Sequence, residues 1–143
     1  MNRKEAEKYI GKPVYLWTAL HGTYSGILKT VDTPKGSPWR GNIEIKEVIE
    51  YPAIGLSPTR GGGILERKPF PEGFIANGGS ASIKPLAETE SIEDYKVSLD
   101  KALEKEIERT EKSLAWPYSD TGKGIMRKAL KVLTERRGHS SQD

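Results

Sequence analysis

Cysteine is absent from the 143-residue chain. That excludes disulfides, thiol catalysis and cysteine-ligated metal, and it fits a reducing compartment. Histidine is nearly absent. His21 and His139 are the only two, which leaves a two-histidine metal centre or a Ser-His-Asp arrangement almost without candidates. His21 falls in a turn, where a structural or solvated role is the ordinary one. No apolar run reaches membrane-spanning length and the N-terminus has no signal-peptide core, so a soluble cytoplasmic protein is the expectation. A strong field is lacking too. The formal net charge is +3, too small to announce a nucleic-acid binder, and DNA is not expected as a partner. Catalytic patterns fail one by one. Gly122-Lys123-Gly124 has neither the earlier Gly nor the following Ser or Thr of a phosphate loop. Glu44, Glu47 and Glu50 follow one strand, but the first two fall on opposite faces. No acid and base gather in one place. The expectation is a binding protein rather than an enzyme, with no metal or cofactor.

What is present organises around residues 14–51. Two apolar-rich arms, 14–18 with 24–31 and then 42–51, flank a tip with the sequence Thr33-Pro34-Lys35-Gly36-Ser37-Pro38-Trp39-Arg40-Gly41. Ile43, Ile45 and Val48 alternate with Glu44, Lys46 and Glu47, the period of a half-buried antiparallel strand. Gly22 suits a positive φ between the first two strands. Gly26 inside a strand predicts a bulge or a close backbone approach. Trp39 and Arg40 at the tip are expected to be an exposed pair that stacks on and hydrogen-bonds to a flat anionic ligand, with an interface anchor as the other role for Trp39. Upstream, Asn2 can cap a short helix to Tyr9, with Ala6, Tyr9 and Ile10 inward and Gly11 as its stop.

After Tyr51 the periodicity breaks. Residues 52–73 hold four prolines and five glycines, a long irregular loop. Within it Arg60, Gly61, Gly62 and Gly63 form a candidate second anion site, in which glycine amides make a nest and Arg60 adds a charged fork. Residues 74–84 predict a further hairpin turning at Asn77-Gly78-Gly79. From Ser91, a candidate cap, Ile92, Tyr95, Leu99, Leu103, Ile107 and Leu114 recur at helical spacing as far as Trp116-Pro117. A linker over 118–124 and a second amphipathic helix from Ile125 to a stop at Gly138 complete the chain. Apolar residues make up only 35% and charged residues 30% of it, so the core is small and some apolar surface awaits a partner. The fold class expected is α+β. An antiparallel, small barrel-like domain over 1–90 precedes a helical packing and oligomerisation region over 91–137 and a disordered tail over 138–143.

Two family resemblances follow. Gly22-Thr23-Tyr24-Ser25-Gly26-Ile27-Leu28-Lys29-Thr30-Val31-Asp32 resembles the first motif of Sm-like RNA-binding barrels, and Asn77-Gly78-Gly79-Ser80 echoes the second. The residues 34–40 replace the short turn that carries that family's base-reading residues. A small-barrel RNA-binding or protein-interaction module is therefore the alternative. A longer series occurs in order across most of the chain: Tyr9-Ile10-Gly11-Lys12, Gly22-Thr23-Tyr24, Pro38-Trp39-Arg40-Gly41, Glu50-Tyr51-Pro52, Ser82-Ile83-Lys84-Pro85 and the Asp94-Tyr95 helix start. Together they resemble the phage Thoeris anti-defence protein one family of nucleotide-signal sponges. The resemblance implies an N-terminal sheet, C-terminal helices that assemble dimers or hexamers, and capture without cleavage of the cyclic ADP-ribose signal of TIR-dependent immunity in the infected bacterial cytoplasm. Some members also hold cyclic di- or trinucleotides at separate sites. Adenine, ribose and pyrophosphate call for a stacking platform, cations and small polar groups. Phe74 and Asn77 are the candidates for an aromatic wall and a polar contact. Arg109 and Lys112, late on the first long helix, are the candidates to reach base or phosphate from a face turned toward a sheet.

Overall fold

Period-2 burial in the 40–50 stretch lays down the central strand of the molecule. Ile43 and Ile45 are fully buried and Val48 nearly so, while Asn42, Glu44 and Lys46 between them stay partly solvated. The computed structural model describes residues 2–33, 35, 38–53, 55–56, 64–78, 81–87, 90–114 and 120–140, without the side chains of 55, 56, 64, 65, 120, 121, 139 and 140. In chain order the elements are α1 (Arg3–Glu7), β1 (Pro13–Trp17), β2 (Thr23–Asp32), β3 (Arg40–Glu50), β4 (Gly55–Leu56), β5 (Ile64–Leu65), β6 (Ile75–Asn77), β7 (Ser82–Pro85), α2 (Tyr95–Ser113) and α3 (Asp120–Ser140). Five strands form one sheet in the order β6-β3-β2-β1-β7, antiparallel throughout, and β4 pairs with β5 apart from it. The α+β class holds: a sheet first, then helices.

Register shifts along the β2–β3 ladder leave Lys29, Lys46 and Ile49 as extra residues, and such bulges bend a sheet and increase its twist. Two of these bulge residues are used electrostatically. Lys29 and Lys46 reach the Glu44 carboxylate at 3.0 and 2.5 Å, and together, Lys46 foremost, they hold that carboxyl below its usual range. The bent sheet brings its two edges close without joining them. Ile83 on β7 packs so near Gly78 that a Cβ on that glycine would lie 2.4 Å from Ile83 Cδ1, yet β6 pairs only with β3 and β7 only with β1. The sheet is not closed into a barrel.

This corrects the hairpin expected over 74–84. β6 and β7 lie at opposite edges of the sheet rather than side by side. Asn77-Gly78-Gly79 supplies a turn signal, but pairing is decided by burial: Ala76 opposes Ile43 and Ile83 opposes Leu16. The helices depart from expectation in related ways. Asn2 Oδ1 does cap α1 by accepting from Glu5 N–H at 2.9 Å, but Ile10 is half exposed rather than packed inward. The cap of α2 is Asp94, whose carboxylate accepts from Val97 N–H at 3.3 Å, not Ser91. α2 ends at Ser113, and Trp116-Pro117 lies outside the described residues. α3 already begins at Asp120, so Gly122-Lys123-Gly124 is helix rather than linker, and it continues through Gly138 to Ser140. Glycine costs roughly 1 kcal/mol at each of these three positions in a helix, and burial of Ala129 and of Leu133, which joins the core, offsets them. Of the expected tail, 141–143 lies outside the described residues.

The buried face of α2, namely Ser98, Ala102, Leu103, Ile107 and Thr110, is the face that packs on β3, with α3 against it. Ser98 fixes the docking: its hydroxyl accepts from Val48 N–H at 2.9 Å and donates to Tyr95 C=O at 2.8 Å. Glu47 guides the chain there, accepting from buried Ser25 Oγ at 2.7 Å and from Glu93 N–H at 2.9 Å. The preceding stretch is tied to β1 by the Tyr15 hydroxyl, which donates to Glu90 at 2.6 Å. That bond to Glu90 is the main cause lifting the Tyr15 hydroxyl from its ordinary value of 10.0 to about 12. Below pH 10 both folded and unfolded chains keep the proton. Between pH 10 and about 12 the unfolded chain loses it first, so stability falls across that window. Buried Tyr24 and partly buried Tyr95 are shifted in the same direction. The expected result is a fall in urea midpoint from pH 9 to pH 11 that is smaller in Tyr15→Phe than in the parent. An equal fall in both proteins counts against the Tyr15–Glu90 tie.

Candidate functional site

Lys68-Pro69-Phe70-Pro71 forms a strap across the end of the sheet. A phenylalanine between two prolines has little conformational freedom, and here its backbone is clamped on both sides. Phe70 N–H donates to the Tyr24 hydroxyl at 3.2 Å, and the Tyr95 hydroxyl donates to Phe70 C=O at 2.5 Å. The Tyr24 hydroxyl also donates to His21 C=O. Burial pushes both the Tyr24 and Tyr95 hydroxyls up from their ordinary range, so both stay protonated as donors. The Phe70 ring stacks on Tyr24 at 4.8 Å, on Phe74 at 5.3 Å and on His21 at 6.2 Å between centroids.

Cavities open on both flanks of this strap. One, of about 230 Å³, lies among Thr18, Leu20, His21, Phe70, Asn77 and Ala81. Its Thr18 hydroxyl donates to Gly22 C=O at 2.6 Å and accepts from His21 N–H at 2.9 Å, and Asn77 brings an amide side chain to the lining. Phe74 stands at its margin, stacked on Phe70 and 48% exposed. A large aromatic residue half in water beside a cavity departs from the usual burial of such residues. The other flank carries a larger cleft of about 430 Å³, walled by Tyr51, Tyr95, Leu99, Leu103 and the two strap prolines, with Lys68, Glu72 and Arg136 around it. A third space of about 280 Å³ lies between Trp39 and the β7 residues Ser82 and Lys84, and it shares Ala81 with the Asn77 cavity.

Phe74 and Asn77 are therefore brought together with Phe70 and His21. Trp39 and Arg40 are not the exposed pair expected. Trp39 is partly buried and packs against the core. Arg40 is committed across the hairpin, Nε and Nη2 donating to the two Asp32 oxygens at 2.7 and 3.3 Å. Arg109 and Lys112 do not face a sheet. Their side chains are 65% and 77% exposed, paired with Glu106 at 3.3 Å and Glu108 at 3.9 Å, and they line none of the three spaces. Buried Thr110 and Ile107 fix the inner face of α2, and helical geometry turns Lys112 away from it. Beneath Arg109, burial raises the Glu106 carboxyl despite that pairing. Arg60 and Gly61 to Gly63 lie outside the described residues.

Several residues of these cavities carry no strong local signal. Phe70 sits in the proline-rich stretch, where its flanking prolines are the one available hint of a fixed strap. Arg136 is one of six basic residues after Trp116 and looks like its neighbours. In the fold it is 17% exposed, donating to the Tyr51 hydroxyl at 3.0 Å and to Arg67 C=O at 3.2 Å, and it pairs with Glu66 at 3.4 Å. Among the described residues no group of three or more His, Cys, Asp or Glu is arranged to hold a metal ion, and no helix is long and apolar enough to cross a membrane. Comparison with known protein families, with curated proteins and with solved structures finds no match to this chain.

Proposed function

We propose that the protein is a phage anti-defence sponge: it binds and holds a cyclic ADP-ribose signal without cleaving it, in the cytoplasm of the infected bacterium, and so denies the signal to TIR-dependent immunity. The observation that carries this is the Phe70–Phe74 ring stack beside the Asn77 amide. A base stacked on an aromatic ring gains about 1–3 kcal/mol, and an asparagine amide matches the N6/N7 edge of adenine. A cavity of about 230 Å³ falls below the roughly 300–1,000 Å³ of whole-ligand pockets. It takes the base and leaves ribose and pyrophosphate above the rim. Nanomolar capture needs about −12 kcal/mol, more than one stack and one amide supply. A second protomer closing over the ligand makes up the difference, in a dimer or a hexamer. Exposed Arg109 and Lys112 are the cations it brings to the pyrophosphate.

The test is incubation with cyclic ADP-ribose and with cyclic di- and trinucleotides, followed by heat release and mass spectrometry, with calorimetry alongside. The expected result is recovery of intact ligand, with affinity at least tenfold weaker in Phe74→Ala and in Arg109→Ala while light scattering reports unchanged assembly. Converted ligand makes the protein an enzyme. No uptake, together with salt-sensitive retention of single-stranded RNA, favours the small-barrel module instead.

A further inference from the structure

We infer that the Tyr51–Tyr95 cleft is a separate binding site, for a small molecule with a flat aromatic or apolar body and a single negative charge. It goes beyond the sponge proposal, since it lies on the opposite flank of the Phe70 strap and uses none of the same side chains apart from the strap itself. Its volume of about 430 Å³ is that of an ordinary small-molecule pocket. Tyrosines, leucines and prolines make the walls, which suits a flat body.

Charge selects the rest of the ligand. Arg136 is balanced by Glu66 at 3.4 Å, and its Nη1 donates to the Tyr51 hydroxyl and Arg67 C=O. Glu72 lies within electrostatic reach of Lys46, whose first partner is Glu44, and with Lys29 on the same Glu44 carboxylate the group is two lysines against two carboxylates. Lys68 remains, exposed and with no ion-pair partner among the described residues. The surplus is one positive charge at the mouth of an aromatic cleft, which a monoanion neutralises.

The probe is 8-anilinonaphthalene-1-sulfonate, an aromatic body with one sulfonate, followed by its fluorescence in the full chain. One saturable site per chain is expected. Lys68→Glu should weaken it at least tenfold and Lys68→Arg less than threefold. Leu99→Trp, which fills the cleft, should abolish it while circular dichroism stays unchanged. Removing the sulfonate, as in N-phenyl-1-naphthylamine, should cost at least fivefold. Competition with 1-naphthoate and 1-naphthyl phosphate then tells a carboxylate preference from a phosphate one; displacement by neither overturns the assignment. Lys68 is a surface residue, so affinity within twofold of the parent in Lys68→Glu also overturns it. Phe74→Ala should leave the dye untouched, and an excess of cyclic ADP-ribose should not displace it. If that nucleotide does displace the dye, the two sites are one and this inference fails while the sponge proposal survives. If the nucleotide binds nowhere and the dye behaves as stated, the reverse holds.

Discussion

Gly26→Ala should lower the stability of the fold by about 4 kcal/mol or more, in the range reserved for gross steric conflict. A Cβ at this position would stand 2.1 Å from the Glu44 carbonyl oxygen of the neighbouring strand and 2.8 Å from Ile43 Cγ2. The first of these is backbone, so no rotamer change relieves it. β2 and β3 would have to separate at the middle of their ladder, where Gly26 pairs with Val14 on one side and Ile45 on the other. That ladder is the longest among the described residues, and Leu28, Ile43 and Ile45 beside it are fully buried. For a chain of this length the expected fall in Tm is roughly 15 °C. The control is Gly138→Ala. Gly138 lies inside α3 with nothing within 4 Å of an added Cβ, so alanine should stabilise by about 0.5–1 kcal/mol through helix propensity. Thermal melts of both variants check the pair. A Gly26→Ala protein melting within 2 °C of the parent shows that the two strands do not approach as closely as described.

The contrast between those two glycines also marks what the sequence makes legible. A glycine inside an alternating strand pattern announces a close approach, and Gly26 provides one. Alternation over 43–48 gives the central strand and its inward face, and Asn2 gives the first helix cap. These are local signals read over a few residues. The edges are different. β6 has three residues and β7 four, too short for periodicity to choose a partner, and the Asn77-Gly78 turn points to the wrong one. The start of α3 is hidden for a related reason: Gly122 and Gly124 argue against helix locally, while Leu133 argues for it through contacts far away in sequence. The site shows the same division. Phe74 and Asn77 are visible as residues on a short strand. Phe70 is positioned by hydroxyls 46 and 25 residues away, which no window of sequence contains. Arg109 and Lys112 are the opposite case. Their charge made them site candidates, but the phase of α2 set by Leu103, Ile107 and Thr110 already turns them to solvent, away from the sheet.

Tyr24→Phe should destabilise the fold by about 2–3 kcal/mol and loosen both cavities at once. The ring is fully buried, so phenylalanine keeps its volume and its stacking on Phe70. What is lost is one hydroxyl with two duties, donating to His21 C=O and accepting from Phe70 N–H. Both bonds are part-buried, and leaving their backbone partners unpaired costs about 1–3 kcal/mol, more than the bonds themselves contribute. The strap would then be held by Tyr95 on its carbonyl side alone. Since Phe70 walls the Asn77 cavity and its flanking prolines wall the tyrosine cleft, nucleotide and dye affinity should weaken together, where Phe74→Ala and Lys68→Glu each weaken only one. Amide exchange separates this from a general loss of stability. Phe70 N–H should exchange far faster in Tyr24→Phe, while Ile45 N–H, bonded to Phe74 C=O at 3.1 Å, should speed up only as much as the global destabilisation requires. Tyr95→Phe removes a single donor and should cost about 1 kcal/mol, with Phe70 N–H still protected by Tyr24. A Tyr24→Phe protein within 0.5 kcal/mol of the parent, its Phe70 amide still slow, would mean that the strap is held by its prolines and not by the core tyrosine beneath it.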